Sequence, residues 1–399
     1  MKILVIDEEF PYPLNTGKRI RSYNLVRALA RDNEVTYLAY GEAGSDGYQS
    51  LERAGLKPVA AGQLRRKKSG LMFYWRLLLN LLSPDPYIVT HHYTARFRNK
   101  LNELLAGDPY DVIICEWTPY ARYVRDIHGV PSVIVAHNIE ASIWKRYYEN
   151  DRNPLRRIYI GIQARKVENF ERRCFGWAAG ATAVSREEAE EIAGYGVHYP
   201  VEVIDNGVDI EFFSPDDTIP DPDTIVFTGS MDWRPNQDAV TYFVESIFPL
   251  IRQRRPSAKV FLVGRKPPLK VEQLGQVDGV TVTGTVDDVR PFIDRAGVYV
   301  VPLRIGGGSR LKILEAMAMG KVVVSTSIGA EGLEVADGEN ILIRDEEQAI
   351  ANQVVDCLEH PEKYHQLAEQ GRKLVTSRYR WEDLGQRFHE YLAKILARS

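Results

Sequence analysis

The chain has 399 residues, roughly two to three times a typical single domain, so one compact core is not expected. Apolar residues make up 44% and charged residues 26%, an ordinary soluble globular mixture that excludes fibrous, disordered and low-complexity classes. Lys and Arg (51) nearly balance Asp and Glu (54), leaving a net charge of -3; no global field exists to attract nucleic acid, and any anion site must be local.

From the N-terminus, Lys2–Asp7 reads as a buried strand, and its apolar run is too short for a signal peptide. The loop Pro11–Arg19 follows, then Ile20, Tyr23, Val26 and Leu29 recur at helical spacing. Further strands are expected at Val35–Ala39, Val112–Glu116, Ser132–Ala136, Gly180–Val184 and Val201–Ile204. Near-continuous Val and Ile in these runs suits a parallel sheet covered on both faces.

Leu71–Leu82 is the most apolar segment, but Arg76 and Asn80 interrupt it. It is also far short of the roughly twenty residues a membrane span needs. Together with Arg65-Arg66-Lys67-Lys68 before it, residues 65–79 carry two readings: peripheral contact with an anionic membrane surface, or a packed helix behind a solvated basic turn. His91 and His92 open a helix and carry no evident chemistry.

A second strand series runs through Thr224–Phe227, Lys259–Val263, Val280–Val282, Val298–Val301, Val322–Ser325 and Ile341–Ile343. Turn formers between Asp205 and Asp223 mark a boundary, and Trp381–Leu396 places one apolar stripe on a terminal helix. The expected organisation is α/β: two doubly wound, Rossmann-like parallel-sheet domains, 1–205 and 206–378, facing each other across a cleft. Residues 379–399 form the terminal helix, expected to pack back on the first domain. Cys115, Cys174 and Cys357 are too far apart for a disulfide framework or a zinc site, which fits a reducing compartment.

The most informative stretch follows Val298–Val301: Gly306-Gly307-Gly308-Ser309-Arg310-Leu311-Lys312-Ile313-Leu314-Glu315. Glycines after a strand let a backbone approach a ligand closely, and the next helix offers free N–H groups to an anion. Arg310 and Lys312 oppose the helix dipole unless an anion offsets them. Glu315, in the second turn, is suited to accept two hydrogen bonds from a vicinal diol such as ribose. The plainer reading is a flexible turn before a core helix with solvated charges. Asp221-x-Asp223 matches a metal-binding pair only formally, and no metal or other cofactor is expected. Neither a P-loop nor a Gly-x-Gly-x-x-Gly turn nor a nucleophile elbow is present.

These residues resemble the donor-binding segment of glycosyltransferase family 4, retaining enzymes of the GT-B fold, in a bacterial subgroup with a GGGSRLKILEAMA motif. Asp205-Asn206-Gly207-Val208-Asp209, Phe227–Asn236, Ala136–Glu140 and Val184–Glu188 are similar to other family stretches, in the same order along the chain. The resemblance implies hexosyl transfer, with retention, from a UDP- or GDP-linked sugar to a glycan, lipid-linked or small-molecule acceptor, in cytoplasmic polysaccharide or glycoconjugate assembly. It implies Glu315 on the ribose and Arg310, Lys312 and the Gly306, Gly307, Gly308 and Ser309 amides on the diphosphate. His137 would lie near the donor sugar, and Gly17, Gly229, Ser230, Arg234 and Leu311 would complete the donor site. Gly307 stands where the family's usual first glutamate would be. A GT-B nucleotide-sugar epimerase and a non-catalytic nucleotide-sugar binder share the architecture and stay open.

Overall fold

The computed structural model describes residues 1–64, 69–151, 153–216, 219–305 and 310–398. Contacts divide the chain into two units: Met1–Asp205 with the chain from Glu382 onward, and Asn206–Trp381.

The first unit holds a seven-stranded parallel sheet: β1 (Lys2–Asp7), β2 (Glu34–Ala39), β3 (Lys57–Ala60), β4 (Val112–Cys115), β5 (Ser132–Val135), β6 (Gly180–Ala183) and β7 (Glu202–Val203). Its spatial order is β3-β2-β1-β4-β5-β6-β7. Ile3, Leu4, Val5 and Ile6 are wholly inaccessible, as expected for a strand covered by helices on both faces. β3 was not anticipated, because Lys57-Pro58-Val59-Ala60 lacks a β-rich run. Pro58 is tolerated there because β3 is an edge strand. The first helix begins at Gly17, three residues earlier than its apolar spacing implied, so Gly17 is helical rather than in the preceding loop. Thr16 sets that start by accepting a hydrogen bond from the Arg19 amide at 3.4 Å. His91 and His92, expected at a helix start, end the helix Tyr87–His92 and are buried. The helix Trp381–Leu396 returns to this sheet. Tyr391 Oη donates to the Pro200 carbonyl at 2.9 Å and accepts from the Ala181 amide at 3.0 Å.

The second unit holds a six-stranded parallel sheet: β8 (Asp221–Thr228), β9 (Lys259–Val263), β10 (Val280–Gly284), β11 (Ala296–Val301), β12 (Val323–Ser325) and β13 (Leu342–Ile343), in the order β10-β9-β8-β11-β12-β13. β8 starts inside the stretch that turn formers had marked as linker. Asp221 pairs with Lys259 at 2.6 Å, and Asp223 with Arg255 at 2.5 Å, which fastens both acids to the neighbouring strand's end. In each sheet the chain order reverses once, between β1 and β4 in the first and between β8 and β11 in the second. Ligands of open α/β sheets bind beyond the strand C-termini at such points.

Candidate donor and acceptor sites

In the second unit, β8, β9 and β11 deliver Gly229, Gly264 and Pro302 to one sheet end. A Cβ on Gly229 would lie 2.7 Å from Lys312 Nζ and 2.8 Å from Asn236 Nδ2. A Cβ on Gly264 would lie 1.8 Å from the Gly229 carbonyl oxygen. The two turns therefore close on each other only because Gly264 has no side chain, and Lys312 and Asn236 close on Gly229 for the same reason. Gly264→Ala should destabilise the protein at the upper end of about 1–3 kcal/mol. Urea denaturation checks this, and a loss well under that range would show that the turns can separate freely.

Helix Leu311–Ala318 carries the charged residues of the motif. Lys312 Nζ donates to Asn236 Oδ1 at 2.7 Å and sits 4.1 Å from the centre of the Phe227 ring. Burial pushes Lys312 down to about 7, with Glu315 opposing that shift. The same burial pushes Glu315 up to about 7, against Lys312. Among the described residues the Glu315 carboxylate has no hydrogen-bond or ion-pair partner within contact distance, although the residue is half-buried.

Arg310 precedes the helix in the left-handed region, at φ 48°, and is buried. Its guanidinium bonds the Glu331 carbonyl at 3.2 Å and the Glu331 carboxylate at 2.9 Å. Arg310 is thus tied to Glu331, and Lys312 is the cation set beside Gly229. Leu311 is buried at the helix start, and Arg234 is exposed at the start of helix Arg234–Tyr242. Gly306, Gly307, Gly308 and Ser309 lie outside the described residues.

Two residues here were missed by sequence reasoning. Asn236, buried, joins Lys312 to the Ser230 carbonyl, which it reaches at 2.8 Å. Arg265 donates to Ser230 Oγ at 2.7 Å, so the basic group at Ser230 comes from the end of β9 and not from Arg234. The available signal was Gly264-Arg265 directly after a strand, exploitable only by knowing that β9 neighbours β8.

In the first unit, the neighbouring C-terminal ends of β1 and β4 gather a second cluster. Glu116, wholly buried just past β4, accepts from His137 Nε2 at 2.9 Å and from Ser22 Oγ at 2.6 Å. Burial would raise Glu116, but His137 and Ser22 hold it below the ordinary carboxylate range. Burial lowers His137, against the support of Glu116. Glu116 Oε1 and His137 Nδ1 are buried without hydrogen-bond partners among the described residues. Such orphaned buried atoms are uncommon in folded proteins. Asp7, at the end of β1, accepts from Lys18 Nζ and Tyr37 Oη, each at 2.6 Å, and burial pushes it up to about 7. Glu116 was read only as the end of a strand, since a lone Glu carries no pattern. Gly17 starts the helix that supplies Lys18 and Ser22. No group of three metal-ligating side chains occurs among the described residues.

Residues 17–212 match the family model of Glycosyltransferase Family 4, and residues 222–360 that of Glycosyl transferases group 1. An uncharacterized protein in the cps region of Klebsiella pneumoniae is 21% identical over 398 residues, covering 95% of this chain and 96% of that protein. Among solved structures, sucrose-phosphate synthase from Thermosynechococcus elongatus aligns over the whole of both chains with a TM-score of 0.72 and 18% identity. Anabaena HepE, solved with UDP and glucose, aligns over 98% of this chain and 99% of its own with a TM-score of 0.65 and 17% identity. With both matched families glycosyltransferases and the two-sheet fold shared over the full length, the chain is a glycosyltransferase of the GT-B fold.

Proposed function

We propose that the protein transfers a hexose, with retention of configuration, from a UDP- or GDP-linked sugar to a glycan or lipid-linked acceptor in bacterial polysaccharide or glycoconjugate assembly on the cytoplasmic side. The observation that carries this is the pair on helix Leu311–Ala318: a half-buried ammonium beside a glycine turn, and one helical turn on, a carboxylate with no partner among the described residues. A nucleoside diphosphate supplies what both lack. Its phosphates pair with Lys312, and its ribose diol donates to Glu315.

In the reaction the bond from the anomeric carbon to the diphosphate breaks, and one to the acceptor oxygen forms on the same face. The acceptor proton passes to the leaving diphosphate. Charge growing on that leaving group is the main catalytic demand, and Lys312 is already in place to meet it. HepE binding UDP supports the donor class, and the three free, buried cysteines suit a reducing compartment.

Thermal shift with UDP and GDP tests the donor site, since ligand binding raises the melting temperature by mass action. Glu315→Gln should weaken the favoured nucleotide about ten- to a hundredfold, with the unliganded melting temperature unchanged or higher. Unchanged affinity would remove Glu315 from the site. The buried Glu116–His137 pair is also acid/base equipment that an epimerase could use. Product analysis of the donor incubated without acceptor separates the two, and an inverted sugar epimer would favour that second reading.

A further inference from the structure

Helix Leu71–Asn80 is built inside out. At about 100° per residue, Leu71, Met72, Tyr74, Trp75, Leu78 and Leu79 share its outer arc. All six are exposed, Leu71 by 77%, Trp75 by 55% and Leu78 by 58%, and Leu82 just beyond the helix by 88%. The inner arc carries Phe73, Arg76, Leu77 and Asn80; Phe73 packs edge-on against Tyr87, and Asn80 is buried. Water therefore meets only apolar side chains along this arc, the reverse of a surface helix on a soluble protein.

A second apolar stripe adjoins it. On helix Pro154–Trp177, Leu155 is exposed by 80% and Ile158 by 62%, and Ile162 continues the line. Lys166, the next position on that line, donates to the carbonyls of Asn80, Leu81 and Ser83 at 2.7, 3.1 and 2.7 Å. The stripe thus runs into the end of the first helix, next to Leu82.

Basic residues outnumber acids around this apolar surface. Arg156 and Arg165 flank the second stripe, and Lys145, Arg146 and Arg157 are exposed close by. The acids of this stretch are Glu149 and Asp151, and Asp151 is already paired with Arg156 at 2.6 Å. Exposed Tyr147, Tyr74 and Trp75 add rings of the kind that settle at a bilayer interface.

We propose that these two helices form a platform that lies on an anionic phospholipid bilayer, the apolar arcs entering the interface and the basic side chains meeting the headgroups. A second copy of this chain fits less well, because a two-fold contact would bring its basic rim against itself. The platform lies wholly in the first unit and does not depend on the donor assignment.

Flotation of the full chain with vesicles of phosphatidylcholine alone, or mixed with phosphatidylglycerol, tests it. Binding should be at least about tenfold stronger to the anionic vesicles and should weaken in high salt. Trp75→Glu with Leu78→Glu should lower it by a further tenfold or so, and Leu155→Glu with Ile158→Glu several-fold. All four side chains are exposed, so circular dichroism and melting temperature should not change. The proposal is overturned if the parent chain ignores anionic vesicles, or if both double variants bind them equally well. A concentration-dependent dimer that Trp75→Glu with Leu78→Glu makes monomeric would also overturn it, in favour of a second copy. The nucleotide thermal shift in the same variants reports on the donor site separately, so either reading can fail alone.

Discussion

Lys312→Ala should lower kcat/KM for sugar transfer by roughly a hundred- to a thousandfold, with little change in fold. The ammonium lies against Gly229, Asn236 and the Phe227 ring, a setting that keeps it partly desolvated before any ligand arrives. A desolvated cation is held ready for charge that develops at a leaving diphosphate, and no reorganisation is needed when it appears. Alanine removes that charge together with the bond to Asn236. It also relieves a residue whose charged form burial already disfavours, so stability should hold. The effect has a pH signature. With Lys312 near 7 in the unliganded protein, most of it is neutral at about pH 8, whereas a bound diphosphate favours the ammonium. Nucleotide binding at that pH should take up protons, measurable by titration calorimetry in buffers of different ionisation enthalpy. Affinity should fall as pH rises further. Lys312→Met should abolish the uptake; persistence of the uptake in that variant, or full transfer by Lys312→Ala, would remove Lys312 from the donor site.

Glu116→Ala is the substitution expected to cost the most stability, about 3–5 kcal/mol. Glu116 is wholly buried and accepts from both His137 and Ser22, which would be left in the interior with an unfilled cavity between them. Arg21, itself buried, is among the charges that hold Glu116 ionised, and would lose that counter-charge. Urea denaturation measures the loss; a cost under about 1 kcal/mol would mean the pair is solvated. His137 gives a second readout. Burial lowers its pKa and Glu116 opposes that shift. With Glu116 gone the imidazolium loses support, so the His137 titration should move to still lower pH in the NMR spectrum. Movement upward would contradict the geometry.

What could be read from the sequence follows from which contacts are local. The Lys2–Asp7 and Lys259–Val263 strands were legible to the residue because unbroken apolar runs are buried on both faces. Glu315 and Lys312 were singled out because glycines, charges and helix follow one another along the chain. Asn236, Arg265 and Glu116 were not. A parallel sheet sets strand ends side by side that are tens of residues apart, and the partner of Lys312 lies 76 positions away. The role of Arg310 was hidden likewise, since Glu331 lies beyond a whole strand. β3 was invisible because an edge strand needs few apolar residues and tolerates a proline.

The return of helix Trp381–Leu396 to the first sheet has a bearing on biosynthesis. Leu384, Phe388, Tyr391 and Leu392 are buried in a unit whose other residues end at Asp205. The first unit is therefore not complete until the whole stretch from Asn206 to Trp381 has been synthesised. During that interval the side of the first sheet awaiting Tyr391 and Ile395, lined by Gly180, stays open to water. A nascent chain of this kind exposes apolar surface late, and a chaperone holding its first half until release would protect it.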